Sequence, residues 1–344
     1  MKKILKRIVL IALILLVAIF LFLNYFAKGI IFKNPVSQTS STSDLPSPTN
    51  APSTGRFIFL ADTRGDNNGI NEPVLKNIFS KIQELSPKPE YIVVGGDLVT
   101  GSHDTAKFES QLVTFKNLYS KYFPMETLLP VFGNHEQNSA TNDNAHEVIF
   151  SNIFSDYKAE DPLDGFNRTT YYIDYGNVRL IVLNSYQQGE TGQITGSQLS
   201  WFKKVSAKEI NKIKFVFVHT PAYPTGAHIE SSLDEYSNKR DKFWKVIDEN
   251  DVMVMFCGHE HNYSRRVVDS SINPLFTRPV YQVVAGAAGM LNKNTDYPSK
   301  AGVIVPPIAE YHFVIVDVGV NETNIKAVNL NGKTIDEFTI PNIY

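Results

Sequence analysis

Val252-Met-Val-Met-Phe256 runs directly into Cys257-Gly258-His259-Glu260-His261, and this one stretch sets the reading of the chain. Five apolar residues in succession leave no alternation between faces, which is what a strand buried on both sides requires. The break that follows is abrupt. A glycine is succeeded by two histidines at i and i+2, and beyond a strand end both rings can aim at one point. The same design recurs upstream. Phe57-Ile-Phe-Leu-Ala61 leads into Asp62, and Tyr91-Ile-Val-Val94 leads into Gly95-Gly96-Asp97. Leu128-Leu-Pro-Val-Phe132 leads into Gly133-Asn134-His135-Glu136, and Phe215-Val-Phe-Val218 leads into His219. Helical patterns lie between the runs, over 72–85 and 105–122. Such alternation predicts βαβ units with functional groups gathered at the carboxyl ends of the strands. After Pro274 the chain turns mostly β, with runs over 280–285 and 311–318 and a hairpin signal at Asn331-Gly332. The domain reads as α/β with a second group of strands at its end.

Composition is consistent with this. The chain has 344 residues, 43% apolar and 20% charged, which is ordinary globular usage. A formal net charge of -2 gives no basic footprint, so nucleic acid is not an expected partner. The single cysteine, Cys257, excludes an intrachain disulfide framework and a cysteine-rich zinc site.

The N-terminal segment is of another kind. Residues 1–7 carry Lys2, Lys3, Lys6 and Arg7, and an almost unbroken apolar run follows from Ile8 to Ala27. A helix of that length is about 30 Å long and matches a bilayer core. No small-x-small cleavage site ends the run, so it reads as an uncleaved signal anchor. The excess of basic residues before it predicts a cytoplasmic N-terminus with the rest of the chain outside. Residues 28–55, rich in Ser, Thr and Pro, read as a linker that cannot bury enough apolar surface to fold. The expected organisation is a basic tail over 1–7, a transmembrane helix over 8–27, a linker over 28–55 and one folded domain over 56–344.

The strand-end loops supply Asp62, Asp97, Asn134, His219, His259 and His261 in that order. Taken singly, each has an ordinary explanation: a Gly-Asp pair is a turn, and a lone histidine is a packed or surface group. Five successive strands ending this way argue for a common site. Carboxylate and amide oxygens mixed with imidazole suit iron, zinc or manganese.

The order of these motifs resembles the calcineurin-like metallophosphoesterases, on the purple acid phosphatase side. Val216-Phe-Val-His219 and Gly258-His259-Glu260-His261 fit without gaps, and the likeness covers the chain from about Arg56 onward. The resemblance implies a four-layer α/β/β/α sandwich and a metal-dependent phosphoesterase acting on a phosphate mono- or diester. It implies one or two transition metals, with Asp97 bridging, Asn134, His219 and His259 on one ion, and Asp62 and His261 on the other. It also implies that His135 gives a proton to the leaving oxygen, with Glu136 behind it as an orienting group. A pair of ions in such a centre, about 3.5–4 Å apart, lowers the pKa of a water and neutralises charge on the phosphoryl group.

The pattern breaks at Asp62-Thr63-Arg64. Where the family places a histidine there is Arg64, and where its purple branch places a tyrosine there is Thr100. Guanidinium stays protonated and cannot ligate a cation. Three alternatives remain open: water or a side chain such as His103, Asp104 or Asp66 completes a weaker first site; Arg64 grips the substrate phosphate; or the position stays empty. The last allows a rival function, a metal-containing extracellular binding module with impaired catalysis. Pairing of Arg64 with Asp66 is the plain structural alternative. Gly286-Ala-Ala-Gly289 reads as close backbone packing beside the site.

Overall fold

The computed structural model describes residues 55–342 except 142, 208–211 and 294–295. The apolar run over 8–27 and most of the linker lie outside the described residues. Among the described residues no helix is long and apolar enough to cross a membrane. Gly55, read as the last linker residue, is already the first residue of a strand, hydrogen-bonded in register with Val318.

Two sheets make the frame. Strands β1 (Gly55–Leu60), β4 (Tyr91–Val94) and β5 (Leu128–Pro130) run parallel to one another. β13 (His312–Val318), β14 (Glu322–Asn329) and β15 (Thr334–Pro341) extend that sheet antiparallel, in the order β15-β14-β13-β1-β4-β5. The second sheet holds β6 (Tyr171–Tyr175), β7 (Val178–Val182), β8 (Ile213–Phe217), β9 (Val252–Cys257), β10 (Tyr263–Val268), β11 (Val280–Ala285) and β12 (Val303–Ile308). Its order is β12-β10-β11-β9-β8-β7-β6, with β7, β8, β9 and β11 parallel. A two-residue hairpin, β2 (Arg64–Gly65) with β3 (Gly69–Ile70), stands apart.

The strands of the continuous apolar runs are buried on both faces, as that pattern demands. Phe57 and Phe59 of β1 meet Phe215, Phe217 and Phe256 of the second sheet, with ring centroids 5.0–6.1 Å apart. The alternate residues of the second sheet, Ile181, Val216 and Met255, join a separate cluster with Trp201, Phe202, Phe243 and Trp244. Those aromatics belong to two helices, α4 (Gly196–Ala207) and α5 (Ser237–Glu249). On the first sheet, α1 (Glu72–Glu84) and α2 (Thr105–Tyr119) add Leu75, Ile78, Phe108 and Phe115 to the main core, beside α3 (Ala145–Ile153). The layers are helix, sheet, sheet, helix.

Both predicted helices end sooner than the pattern suggests, but their starts are well specified. The Asn71 side chain accepts from the Val74 N–H, and the Asp104 carboxylate caps α2 from the Ala106 and Lys107 N–H groups. Across the two sheets, the Tyr263 hydroxyl and the Arg265 guanidinium both donate to Asp336 at 2.6 Å. Tyr263 and Asn262 are buried, so they serve as scaffold.

His312, at the head of β13, is fully buried. Its Nδ1–H donates to the Glu310 carbonyl at 2.7 Å, and burial drives its pKa down to about 4 from the usual 6.5. Between those values the unfolded chain takes up a proton that the folded chain refuses. Stability therefore falls as pH drops from about 6.5 to about 4, by up to roughly 3 kcal/mol. A His312→Asn change keeps a donor for Glu310 and removes the titration. Urea midpoints of chelator-treated protein should then fall less steeply between pH 7 and 4.5 than in the parent, and an unchanged slope would refute the assignment.

Candidate metal centre

The carboxyl ends of five parallel strands open on one seam between the sheets. β1, β4 and β5 deliver Asp62, Asp97 and Asn134 from the first sheet, and β8 and β9 deliver His219, His259 and His261 from the second. Backbone hydrogen bonds lace the loops within each sheet. The Asp62 N–H donates to the Gly96 carbonyl at 3.0 Å, and the Gly258 N–H donates to the His219 carbonyl at 2.9 Å. Other bonds cross between sheets. The His219 Nδ1–H donates to the Gly95 carbonyl at 2.8 Å, and the His259 backbone N–H donates to Asp62 Oδ2 at 2.9 Å.

All six predicted side chains converge. His219 Nε2 lies 3.1 Å from Asn134 Oδ1 and 3.3 Å from Asp97 Oδ1. His261 Nε2 lies 3.3 Å from Asp62 Oδ1, and Asp62, Asp97 and His261 each offer a ligand atom within 4.8 Å of the others. The ring of His259 stands edge-on to that of His219 at 5.1 Å. Four of the six residues have left-handed backbones: Asp62 at φ 60°, Asp97 at 51°, His259 at 72° and His261 at 52°. Aspartate and histidine tolerate that region better than most residues, yet each instance costs something the surrounding bonds must offset. Such sharp turns let side chains from separate loops meet at one point.

The donor set fits a cation. His259 Nε2 is buried without a hydrogen-bond partner among the described residues, and Asp62 Oδ1 has only His261 Nε2 beside it at 3.3 Å, an expensive arrangement for the protein alone. Burial pushes the Asp62 carboxyl up, but the hydrogen bond from His261 and the charges of His219 and His261 hold it below its usual range. Burial, then the neighbouring histidines 219, 228 and 261, push His259 well below the ordinary imidazole value, leaving a neutral nitrogen ready to ligate. For His261 burial acts downward, yet the hydrogen bond and charge of Asp62 raise it overall.

The surrounding residues settle several sequence expectations. Glu136 does not orient His135. Its buried carboxylate turns inward and accepts from the Gly133, Asp97 and Val99 N–H groups at 2.8, 2.9 and 3.2 Å, stitching two ligand loops together. Burial and the charge of Asp97 push that carboxyl up to about 8, and the three N–H bonds hold it back from rising further. His135 is held instead by the Thr100 carbonyl, which accepts from Nδ1 at 2.7 Å, so Nε2 faces Asp97 Oδ2 at 3.7 Å. The Thr100 hydroxyl points away, donating to the Gly65 carbonyl. Arg64 pairs with Asp97, not with Asp66.

Two residues not singled out from sequence also border the site. The His228 ring lies 4.0 Å from that of His259, and the Tyr186 ring lies 6.0 Å from His219. Burial and the charge of His261 lower the His228 pKa, and burial raises that of the Tyr186 phenol. His228 is carried by a loop that Glu260 anchors, accepting from the Thr225, Gly226 and Ala227 N–H groups at 2.8–3.0 Å. Nothing periodic in the sequence marks it.

Glycine makes room where the loops press together. A Cβ at Gly286 would sit 2.6 Å from Asp62 Oδ2, and one at Gly96, at φ +88°, would sit 2.5 Å from the His219 ring. Gly96→Ala should cost about 2–4 kcal/mol, adding a left-handed alanine to an overpacked contact. Melting of chelated protein reads the stability loss, and metal titration should show weakened binding as His219 is displaced. Unchanged metal affinity would argue against His219 as a ligand.

The sequence profile of the Calcineurin-like phosphoesterase family matches residues 55–263, a span that includes all six converging side chains. A protein of Arcobacter nitrofigilis named "Probable glycerophosphodiester phosphodiesterase GpdQ" is 23% identical over 242 residues, covering 70% of this chain and 78% of that protein. Purple acid phosphatase 23 of Arabidopsis thaliana is 22% identical over 285 residues, covering 78% of this chain and 60% of its own length. In fold, the chain is similar to the purple acid phosphatase PPD1 of yellow lupin seeds, with a TM-score of 0.64 at 17% identity. That match covers 83% of this chain and 53% of the lupin chain.

Proposed function

The chain belongs to the calcineurin-like phosphoesterase family, and from that premise we propose that it hydrolyses a phosphate mono- or diester outside the cytoplasmic membrane. Membership makes it a metal-dependent phosphoesterase. The observation that carries the finer reading is the seam itself, where six ligand-type side chains meet around the buried, partnerless His259 Nε2.

Asp97, Asn134, His219 and His259 would form one ligand group, and Asp62, His261 and Asp97 the other. One or two ions of the iron, zinc or manganese type held by these groups would supply positive charge that acidifies water and stabilises the phosphoryl oxygens in the transition state. The remaining work falls to the protein. The hydrogen bond to Thr100 fixes the proton of His135 on Nδ1, which leaves Nε2 as the atom that exchanges a proton with the leaving oxygen. His228 and Tyr186 wall the site on the side of the second sheet and limit how broadly a substrate can enter. Glu260 keeps His228 in place through its loop. The membrane side of the proposal is supported by the basic residues before the apolar run over 8–27.

A general acid matters most when the leaving group is a poor one. His135→Ala should therefore lower kcat/KM by about 10²–10⁴-fold on an alkyl phosphate ester and much less on a p-nitrophenyl ester. Equal losses on both would remove His135 from that role. Full-length protein with no turnover of either ester under any of the three metals would overturn the function.

A further inference from the structure

Arg64 reaches into the metal centre without belonging to ligand chemistry. Its Nε stands 3.5 Å from Asp97 Oδ2, and a terminal nitrogen stands 3.4 Å from His261 Nε2. The side chain is only 17% exposed, and Nε is buried with no hydrogen-bond partner among the described residues. The guanidinium thus lies against two of the three groups, Asp62, Asp97 and His261, that make up one half of the centre.

Those three groups receive no help from the side chains nearest in sequence. His103 Nδ1 is engaged with Asn138 Oδ1 at 2.8 Å, and Asp104 caps α2. Thr100 turns its hydroxyl to the Gly65 and Gly69 carbonyls, and Asp66 is exposed. A cation there would have three protein donors and a permanent positive charge beside it. Guanidinium does not lose its proton in proteins, and like charges a few ångströms apart in a poorly solvated site repel strongly.

We infer that Arg64 is a resident cation of the centre. Asp97, Asn134, His219 and His259 hold a single ion, and the Arg64 guanidinium supplies the second positive charge in a family whose members use a dinuclear centre. Its fork also presents N–H donors to the oxygens of a phosphate, which a bound ion does not. The inference rests on the metal-dependent reading given above and narrows it.

Metal content decides the matter without reference to activity. The full chain would be loaded with manganese, freed of excess by gel filtration, and measured by elemental analysis and by electron paramagnetic resonance. The parent should retain about one ion per chain with an isolated six-line spectrum, the second position being blocked by charge. Arg64→His, which swaps the charge for a donor, should retain about two ions with an exchange-coupled spectrum. Arg64→Gln, which removes charge alone, should take up a second ion at least roughly tenfold more tightly than the parent. Two ions of similar affinity in the parent would overturn the inference and leave the function standing. One ion persisting in both variants would also overturn it. No ion in the parent would sink the metal-dependent reading itself.

Discussion

Two of the hydrogen bonds that cross the seam between the sheets aim the ligand residues, and the rest of the site depends on them. The Gly95 carbonyl, on the first sheet, accepts from His219 on the second. Asp62 Oδ2, on the first sheet, accepts from the backbone of His259 on the second. Each bond uses up one atom of a ligand residue and so directs the other: His219 presents Nε2, and Asp62 presents Oδ1. Without them the two sheets would still stack through their phenylalanines, since that contact is apolar and non-directional. The ligand atoms would not be aimed. Orientation of a metal-binding group by a second hydrogen bond is general, but for His219 and Asp62 the partner lies on the opposing sheet.

The same economy explains why so many polar groups are buried at one edge of an apolar core. Glu136 and Glu260 are both fully buried, and each accepts three or more backbone N–H bonds from a loop that carries a site residue. Neither points at the site. They hold the loops whose left-handed residues would otherwise relax, and the strain at Asp97, His259 and His261 persists because these bonds over-determine it. An apolar substitute for either carboxyl would leave several buried donors unmatched, which costs more than the carboxyl itself.

Much of this was legible in the sequence because strands buried on both faces write themselves as unbroken apolar runs. Each of those runs ended at a polar residue that the fold carries to the seam. The helix starts at Glu72 and Thr105 were equally plain, and the structure adds the capping side chains Asn71 and Asp104 just before them. What sequence could not give were partners set by loop geometry. His228 follows His219 by a stretch of proline and glycine with no period, and only the anchoring by Glu260 brings its ring to His259. Glu136 follows His135 directly, which suggested a pair, yet adjacent residues at a sharp turn point apart. Arg64 looked free to take Asp66, but the hairpin it opens turns Asp66 to solvent and the guanidinium inward.

The central claim is that side chains from five strand ends form one cation-binding centre. Anomalous diffraction from crystals grown with manganese tests it most directly. The account predicts a peak within bonding distance of Asn134 Oδ1, His219 Nε2, His259 Nε2 and Asp97. A density map with no anomalous peak at the seam, or with His259 Nε2 turned away from the ion, would contradict it.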